Sequence, residues 1–355
     1  MILLASIIHQ FSSEFISRYQ KQLLPSHLKA LSAMHSCRNQ FSPLMQVHCG
    51  ECNTDRFFPH SCGHRNCPHC QGFESQRWIE QQCAKQVPAD YFMVTFTLPA
   101  QLRQLAWRNQ RQVYGLFFDC VWEVLQTFSG NDKKLKGTPG VVAVLHTHSR
   151  ELTFHPHIHA IMPAAAIDKI NKLWRKKQSK YLFNQEALAK AFRGKFLQTL
   201  YQHNFTIPRA CPKKWVVQCK SVGSGDKALV YLGRYLYRGV IQEKDILSCE
   251  NGQVTYRYKD SKTNQYHKKT VTGAKFLWLV LQHVLPRGFR RARNFGFLHP
   301  NSKTLIKVIQ VVLRLTAKPF LAIRPKFICQ CCGTELEIVR TRIKPLFTQW
   351  NKVAV

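Results

Sequence analysis

Acidic residues are scarce in this 355-residue chain. Nineteen Asp and Glu stand against fifty-two Lys and Arg, a formal net charge of +33 at pH 7. Like charges repel in a compact state, so the excess contributes nothing to folding and points to a polyanionic partner. Nucleic acid and an acidic membrane surface both fit. Long apolar runs are also missing: none reaches the roughly eighteen residues that a span requires. The apolar opening, Met1 to Ile8, is interrupted by His9 and Gln10 and lacks a small-residue cleavage site, so neither a span nor a secretory leader is expected. Internal repeats, low-complexity tracts, a DDE triad, a P-loop and a Ser/His/Asp arrangement are all absent. What remains is a chain with 45% hydrophobic residues, enough for a core, and expected in the cytoplasm.

Fourteen cysteines, six of them in Cys-x-x-Cys pairs in a basic chain of intracellular character, favour metal over disulfides. Three zones follow. Residues 1–86 combine a short helical lead-in with a Cys/His-rich stretch, the mark of a metal-built module. Residues 87–250 read as α+β. Strands are expected at Tyr91–Leu98, Val141–His146, His155–Met162 and Trp215–Lys220. Helices are expected at 103–128, Lys169–Lys180, Gln185–Gln202 and after Gly223-Ser-Gly225. Residues 251–355 open with a hairpin, Val254–Tyr258 and His267–Val271 around Lys262-Thr-Asn264. A basic arm and an amphipathic helix at Leu305–Leu315 follow.

Cys49-Gly-Glu-Cys52 and, fourteen residues on, Cys67-Pro-His-Cys70 can supply four thiolates to a tetrahedral structural zinc site. Cys62 could replace one of the four, or join Cys37 in a second site. His60 and His64 read as loop polar groups or DNA contacts rather than ligands. Cys329-Gln-Cys331-Cys332-Gly333 has the look of a further knuckle without a second pair, and structural cysteines and metal ligands both remain open there.

In His155-Pro-His157-Ile-His159, alternate residues of a strand share one face, so His157 and His159 point together and form a divalent-metal edge. If the strand ending at His146 pairs with this one, His146 becomes a third ligand. Tyr231-Leu-Gly-Arg-Tyr235 places two phenols one helical turn apart on one face, with Arg234 and Arg238 beside them. A packed aromatic stripe is the bland alternative, but the basic surround suits a phosphate-handling surface. Together these parts serve transesterification at a DNA phosphate. A metal ion polarises the phosphate, a tyrosine attacks, and a 5′-phosphotyrosine bond conserves the ester energy. From Pro286 to Val355, fourteen Lys and Arg face two acidic residues. Arg287, Arg290, Arg291 and Arg293, interleaved with Phe289 and Phe295, are expected to contact phosphates and stack on unpaired bases.

In combination these motifs, with Arg65-Asn-Cys67, Thr95-Phe-Thr-Leu-Pro99 and His283-Val-Leu-Pro-Arg-Gly-Phe289, resemble the rolling-circle HUH transposases of insertion-sequence family ninety-one over nearly the whole length. The resemblance implies an HUH nuclease core, an antiparallel ferredoxin-like sheet with the histidines on a central strand. It further implies Mg²⁺ or Mn²⁺, two tyrosine nucleophiles, and single-stranded DNA at element ends and targets. Many relatives carry Thr-His after the second tyrosine, whereas this chain has Leu236-Tyr237, which makes His146 the natural third ligand. A replication initiator or relaxase would share the same cut, and a non-catalytic zinc-containing DNA-binding regulator would need neither tyrosine.

Overall fold

The computed structural model describes residues 2–237, 239–260, 263–315 and 326–344. Arg238 and Lys262 lie outside the described residues. The chain begins with α1 (Leu4–Tyr19) and α2 (Pro25–His35), then the hairpin of β1 (Leu44–Cys49) and β2 (Thr54–Pro59). Next come α3 (Gly72–Cys83), β3 (Tyr91–Thr97), α4 (Arg103–Arg108) and α5 (Gln110–Asn131). β4 (Thr138–His148), β5 (Phe154–Pro163), β6 (Ala165–Asp168) and β7 (Leu173–Lys176) follow. α6 (Gln185–Gln202), β8 (Val217–Ser221) and α7 (Asp226–Tyr237) lead to β9 (Ile246–Glu250), β10 (Gln253–Lys259) and β11 (Tyr266–Thr272). The remaining elements are α8 (Gly273–Leu281), β12 (Ala292–Gly296), α9 (Lys303–Val312) and β13 (Glu337–Ile343).

The fold is α+β, and its largest sheet has the order β7-β6-β4-β5-β3-β8, with β12 pairing the outer side of β4; all these pairings are antiparallel. The histidine strand β5 is central, as an HUH core requires. Val141, Ala143 and Leu145, with Ile158 and Ala160, pack on Phe117, Phe118, Phe192 and Phe196 of α5 and α6. Val142, Val144 and Ile161 point the opposite way, onto Leu229, Leu232 and Leu236 of α7. Strand periodicity therefore commits the even residues of β4 and the odd residues of β5 to the face that α7 covers. Asn184 caps α6 by accepting the Ala187 N–H at 2.9 Å.

Packing crosses the boundaries expected near residues 86 and 250. α1 and α2 share a core with α8 and the β11-β10-β9 sheet, joining Ile7, Phe15 and Leu31 to Val254, Phe276 and Leu277. β12 completes the large sheet, and β13 pairs β1. The expected basic helix at Lys169–Lys180 is instead the β6–β7 hairpin. Asp168 accepts from the Asn171 backbone and side chain and from Arg175, closing a turn that outweighs the helical preference of the lysines. α5 runs on to Asn131 rather than stopping at residue 128, with Ser129 donating to the Gly137 carbonyl. The expected hairpin after residue 251 is present as β10–β11, in the register Val254↔Val271 and Tyr258↔His267.

Candidate active site

The register His146↔His157 and Val144↔His159 sets three imidazoles on the face toward α7. Their ring centroids lie 5.0 Å apart (His146–His157), 4.3 Å (His146–His159) and 4.9 Å (His157–His159), and candidate ligand nitrogens, one from each ring, all fall within 4.8 Å of one another. His157 Nδ1 donates to the His155 carbonyl at 2.7 Å, and His159 Nδ1 is 3.0 Å from the Thr95 hydroxyl. These bonds fix the rings and leave the Nε2 atoms for a ligand, as outer-shell partners of metal-binding histidines do. His146 is 1% exposed and its Nε2 has no hydrogen-bond partner. Burial depresses all three, His157 to about 4 and His159 to about 3, so at neutral pH each offers a lone pair rather than a charge. An orphaned buried nitrogen among three neutral imidazoles fits a divalent cation.

α7 presents both tyrosines to this cluster. The Tyr235 ring stacks on His146 at 3.3 Å between centroids, and Tyr231 stands 6.1 Å from both His146 and His159. The Tyr235 hydroxyl accepts the Thr147 N–H at 3.3 Å and contacts His148 Nδ1 at 3.0 Å. Burial pushes its pKa up to about 12, opposed by the Arg291 guanidinium 5.3 Å over the ring. Tyr231 is 49% exposed, and partial burial raises it as well, with Arg150 opposing. The helix sits this close because α3 crosses it at Gly233, where an added Cβ would lie 2.2 Å from Ile79 Cγ1. Ser75 at that crossing donates to the Gly233 carbonyl at 3.0 Å.

Between the histidine face and the β9–β11 sheet runs a cleft of about 980 Å³, lined by His146, His157, Tyr231 and Tyr235. Six cations line it: Arg150, Lys227, Arg234, Lys244, Arg257 and Lys259. Of these, Lys227 and Arg234 belong to the basic surround read from the sequence of the tyrosine helix. Arg257 and Lys259 alternate with Tyr256 and Tyr258 on β10, and this alternation was the available signal. Exposed Tyr266 stands across the hairpin with Arg257 5.2 Å over its ring. His148 follows the same His-x-His alternation as His157 and His159 and was likewise missed. Tyr256 is 1% exposed and belongs to the core.

The expected arginine arm divides. Arg291 enters the site over Tyr235, while Arg293 lies over the rings of Phe118 and Phe289 and pairs with Asp119 at 3.3 Å. Arg287 and Arg290 are exposed, the first offering its carbonyl to Arg111. Phe289 and Phe295 are not free to stack on bases: Phe289 is buried against Tyr114, and Phe295 stacks on Trp122 at 5.4 Å. Apolar burial outcompetes exposure for both rings.

The structure separates the four cysteines expected to share one zinc. Cys67 and Cys70 gather with Cys37 and Cys62, whereas Cys49 and Cys52 gather with Cys329 and Cys332. In the first group the sulfurs of Cys37 and Cys70, Cys62 and Cys70, and Cys67 and Cys37 stand 3.4, 3.6 and 3.6 Å apart. A tetrahedron with Zn–S arms of ~2.3 Å has edges of about 3.8 Å, so the spacing suits structural zinc. Arg65 in this loop donates to the carbonyls of Leu285, Pro286 and Phe289, tying the module to the segment before β12.

Residues 140–304 match the family described as "Putative transposase", and residues 7–98 match the family described as "Transposase zinc-binding domain". The protein described as "Putative transposase y4qJ" from Sinorhizobium fredii is 29% identical over 317 residues, covering 83% of this chain and 79% of its own length. The transposase for insertion sequence element IS801 from Pseudomonas savastanoi pv. phaseolicola is 26% identical over 347 residues, covering 87% and 82%. No solved structure matches the chain. No helix among the described residues is long and apolar enough to cross a membrane.

Proposed function

The chain belongs to the transposases of insertion-sequence family ninety-one that carry an amino-terminal zinc-binding domain, and from that premise we propose that it nicks and rejoins single-stranded DNA at element ends by tyrosine transesterification. The observation that carries the reading is the stack of Tyr235 on His146, with Tyr231 6.1 Å from His146 and His159, at the wall of a cation-lined cleft.

His146, His157 and His159 would hold Mg²⁺ or Mn²⁺, which when bound polarises the scissile phosphate and stabilises the departing 3′ oxygen. Tyr231, half-exposed in the cleft, is the phenol that a strand reaches first. Its oxygen attacks phosphorus and the bond to the 3′ oxygen breaks. The phenolic proton passes to solvent, and the leaving 3′ oxygen takes up a proton. The products are a 5′-phosphotyrosine and a free 3′ hydroxyl, so one phosphoester replaces another and rejoining needs no external energy. Tyr235 is kept in reserve by His148 and Thr147 for the second strand transfer. Arg150, Lys227 and Arg257 track the phosphates, while exposed Tyr266 offers a face for an unpaired base.

The test is incubation of the full chain with labelled single-stranded end DNA and Mn²⁺. A denaturation-resistant protein–DNA adduct should form, mapping to Tyr231 in the first cut. It should be lost in Tyr231→Phe/Tyr235→Phe, which keeps both rings and still binds DNA. An adduct that persists in the double variant refutes the assignment.

A further inference from the structure

We infer that the chain holds a second structural zinc through Cys49, Cys52, Cys329 and Cys332, a site assembled from opposite ends of the sequence. Cys52 and Cys329 are 277 positions apart, and Cys49 and Cys332 are 283 apart. The inference does not depend on the tyrosine chemistry.

Each half is a knuckle. Cys49-Gly-Glu-Cys52 turns β1 into β2, with the Cys52 N–H directed at Cys49 Sγ at 3.5 Å. Cys329 to Cys332 forms a second tight turn. The Gly333 N–H bonds the Cys329 carbonyl at 3.0 Å, and the Cys329 N–H bonds the Thr334 carbonyl at 2.8 Å. Gly333 adopts φ +76°, a left-handed conformation that glycine enters without penalty. The knuckles face each other: Cys49 and Cys332 sulfurs are 3.5 Å apart, Cys52 and Cys329 3.9 Å, and all four lie within 4.8 Å. These spacings bracket the ~3.8 Å edge of a zinc–thiolate tetrahedron.

Three further observations favour an ion over four incidental thiols. The core around them is very small: among the described residues, Met45, Val47 and Leu336 are its only buried members besides Cys49 and Cys329. Among small units, so few apolar side chains rarely hold a three-stranded sheet without a staple. β13 is exposed along its length except at Ile343, so side-chain burial gives it little reason to stay on β1. Finally, the run offers three cysteines and the geometry selects two. Cys331 lies outside the cluster and contacts Arg56 at 3.3 Å, whereas Cys332, equally exposed, turns its sulfur to Cys49. The other module already occupies Cys37, Cys62, Cys67 and Cys70, so the two sites share no ligand. With four protein thiolates the second site has no open position for substrate, and its role is to clasp β13 to the β1–β2 hairpin.

Metal analysis and zinc-edge X-ray absorption on the purified full chain test this. Two zinc ions per chain are expected, each with four sulfurs at about 2.3 Å. Cys329→Ser/Cys332→Ser should retain one zinc and gain protease cleavage within residues 326–344. Cys331→Ser should retain both ions. One zinc in the wild-type chain overturns the proposal, as does a second zinc with nitrogen ligands, which would place it on the histidines. Two ions surviving the double substitution overturn it as well. The wild-type count and ligand set decide the matter even if the double variant is insoluble.

Discussion

Gly233→Ala adds one methyl group between the two tyrosines, and the consequences can be worked from the packing of α7 on α3. The new carbon would stand 2.2 Å from Ile79 Cγ1, 2.9 Å from its Cδ1 and 3.0 Å from Trp78 Cε3. Carbon atoms rest at about 3.5–4.0 Å, so the helices must part by on the order of 1 Å. Overpacking of this kind costs about 1–3 kcal/mol. Alanine recovers about 1 kcal/mol through its better helix propensity. A small net loss of stability is therefore expected, roughly 0–2 kcal/mol by the same two terms. The functional loss should be larger. Displacing a reacting group by 1 Å can cost about 100-fold in rate, and both phenols ride on α7. The assay is the initial rate of covalent adduct formation on single-stranded end DNA, read beside a denaturant unfolding curve. Ile79→Ala should restore most of the rate in the double variant, because the new methyl group then occupies vacated space. The double variant should also be more stable than the two single losses added together. A Gly233→Ala protein that cuts at the wild-type rate refutes the reasoning, as does a defect indifferent to Ile79.

His157→Ala or His159→Ala should abolish adduct formation without unfolding the chain, and chelation should do the same until Mg²⁺ or Mn²⁺ is returned. His146→Ala should match them, since its Nε2 is otherwise unpartnered; a mild effect there would move the third ligand elsewhere. Stability should also depend on pH. Burial holds His27 at about 4 and His283 at about 3, below the ordinary 6.5, so the unfolded chain takes up those protons first. Their contribution is complete above pH 6.5 and falls as pH drops toward 4, by up to about 1.4 kcal/mol per unit for each histidine. Denaturant midpoints that stay flat from pH 7 to pH 5 would sink this reading.

Local periodicity made the grouping of the candidate site legible. Two-residue alternation put His157 and His159 on one face, and pairing with His146 follows from a hairpin of adjacent strands. Four-residue spacing put Tyr231 and Tyr235 together on α7. What stayed hidden was long-range. Each Cys-x-x-Cys knuckle is visible by itself, but nothing local says that Cys49 and Cys52 meet Cys329 and Cys332 rather than their sequence neighbours. The cations of β10 needed the hairpin's docking over the cleft before they acquired a role. Charge alone misled at Lys169–Lys180, where the short hydrogen bonds of Asp168 set a turn. Aromatics beside arginines misled at Phe289 and Phe295, whose rings serve the core.

The antiparallel partnership of β12 with β4, along Ala292↔Val144 to Gly296↔Gly140, has a bearing on how the molecule is made. A ribosome delivers β4 about 150 residues before the strand that seals its outer side, on the numbering of those pairs. Until residue 296 has left the exit channel, the backbone donors and acceptors of Gly140–Val144 form an open edge of the kind that recruits other chains. Arg291, immediately ahead of β12, reaches the Tyr235 ring only with that strand's arrival. A polypeptide released early thus carries the three histidines in an unsealed sheet, beneath the helix that bears both phenols. On the proposed function, a chain ending before β12 is expected to aggregate through that edge and to form no DNA adduct.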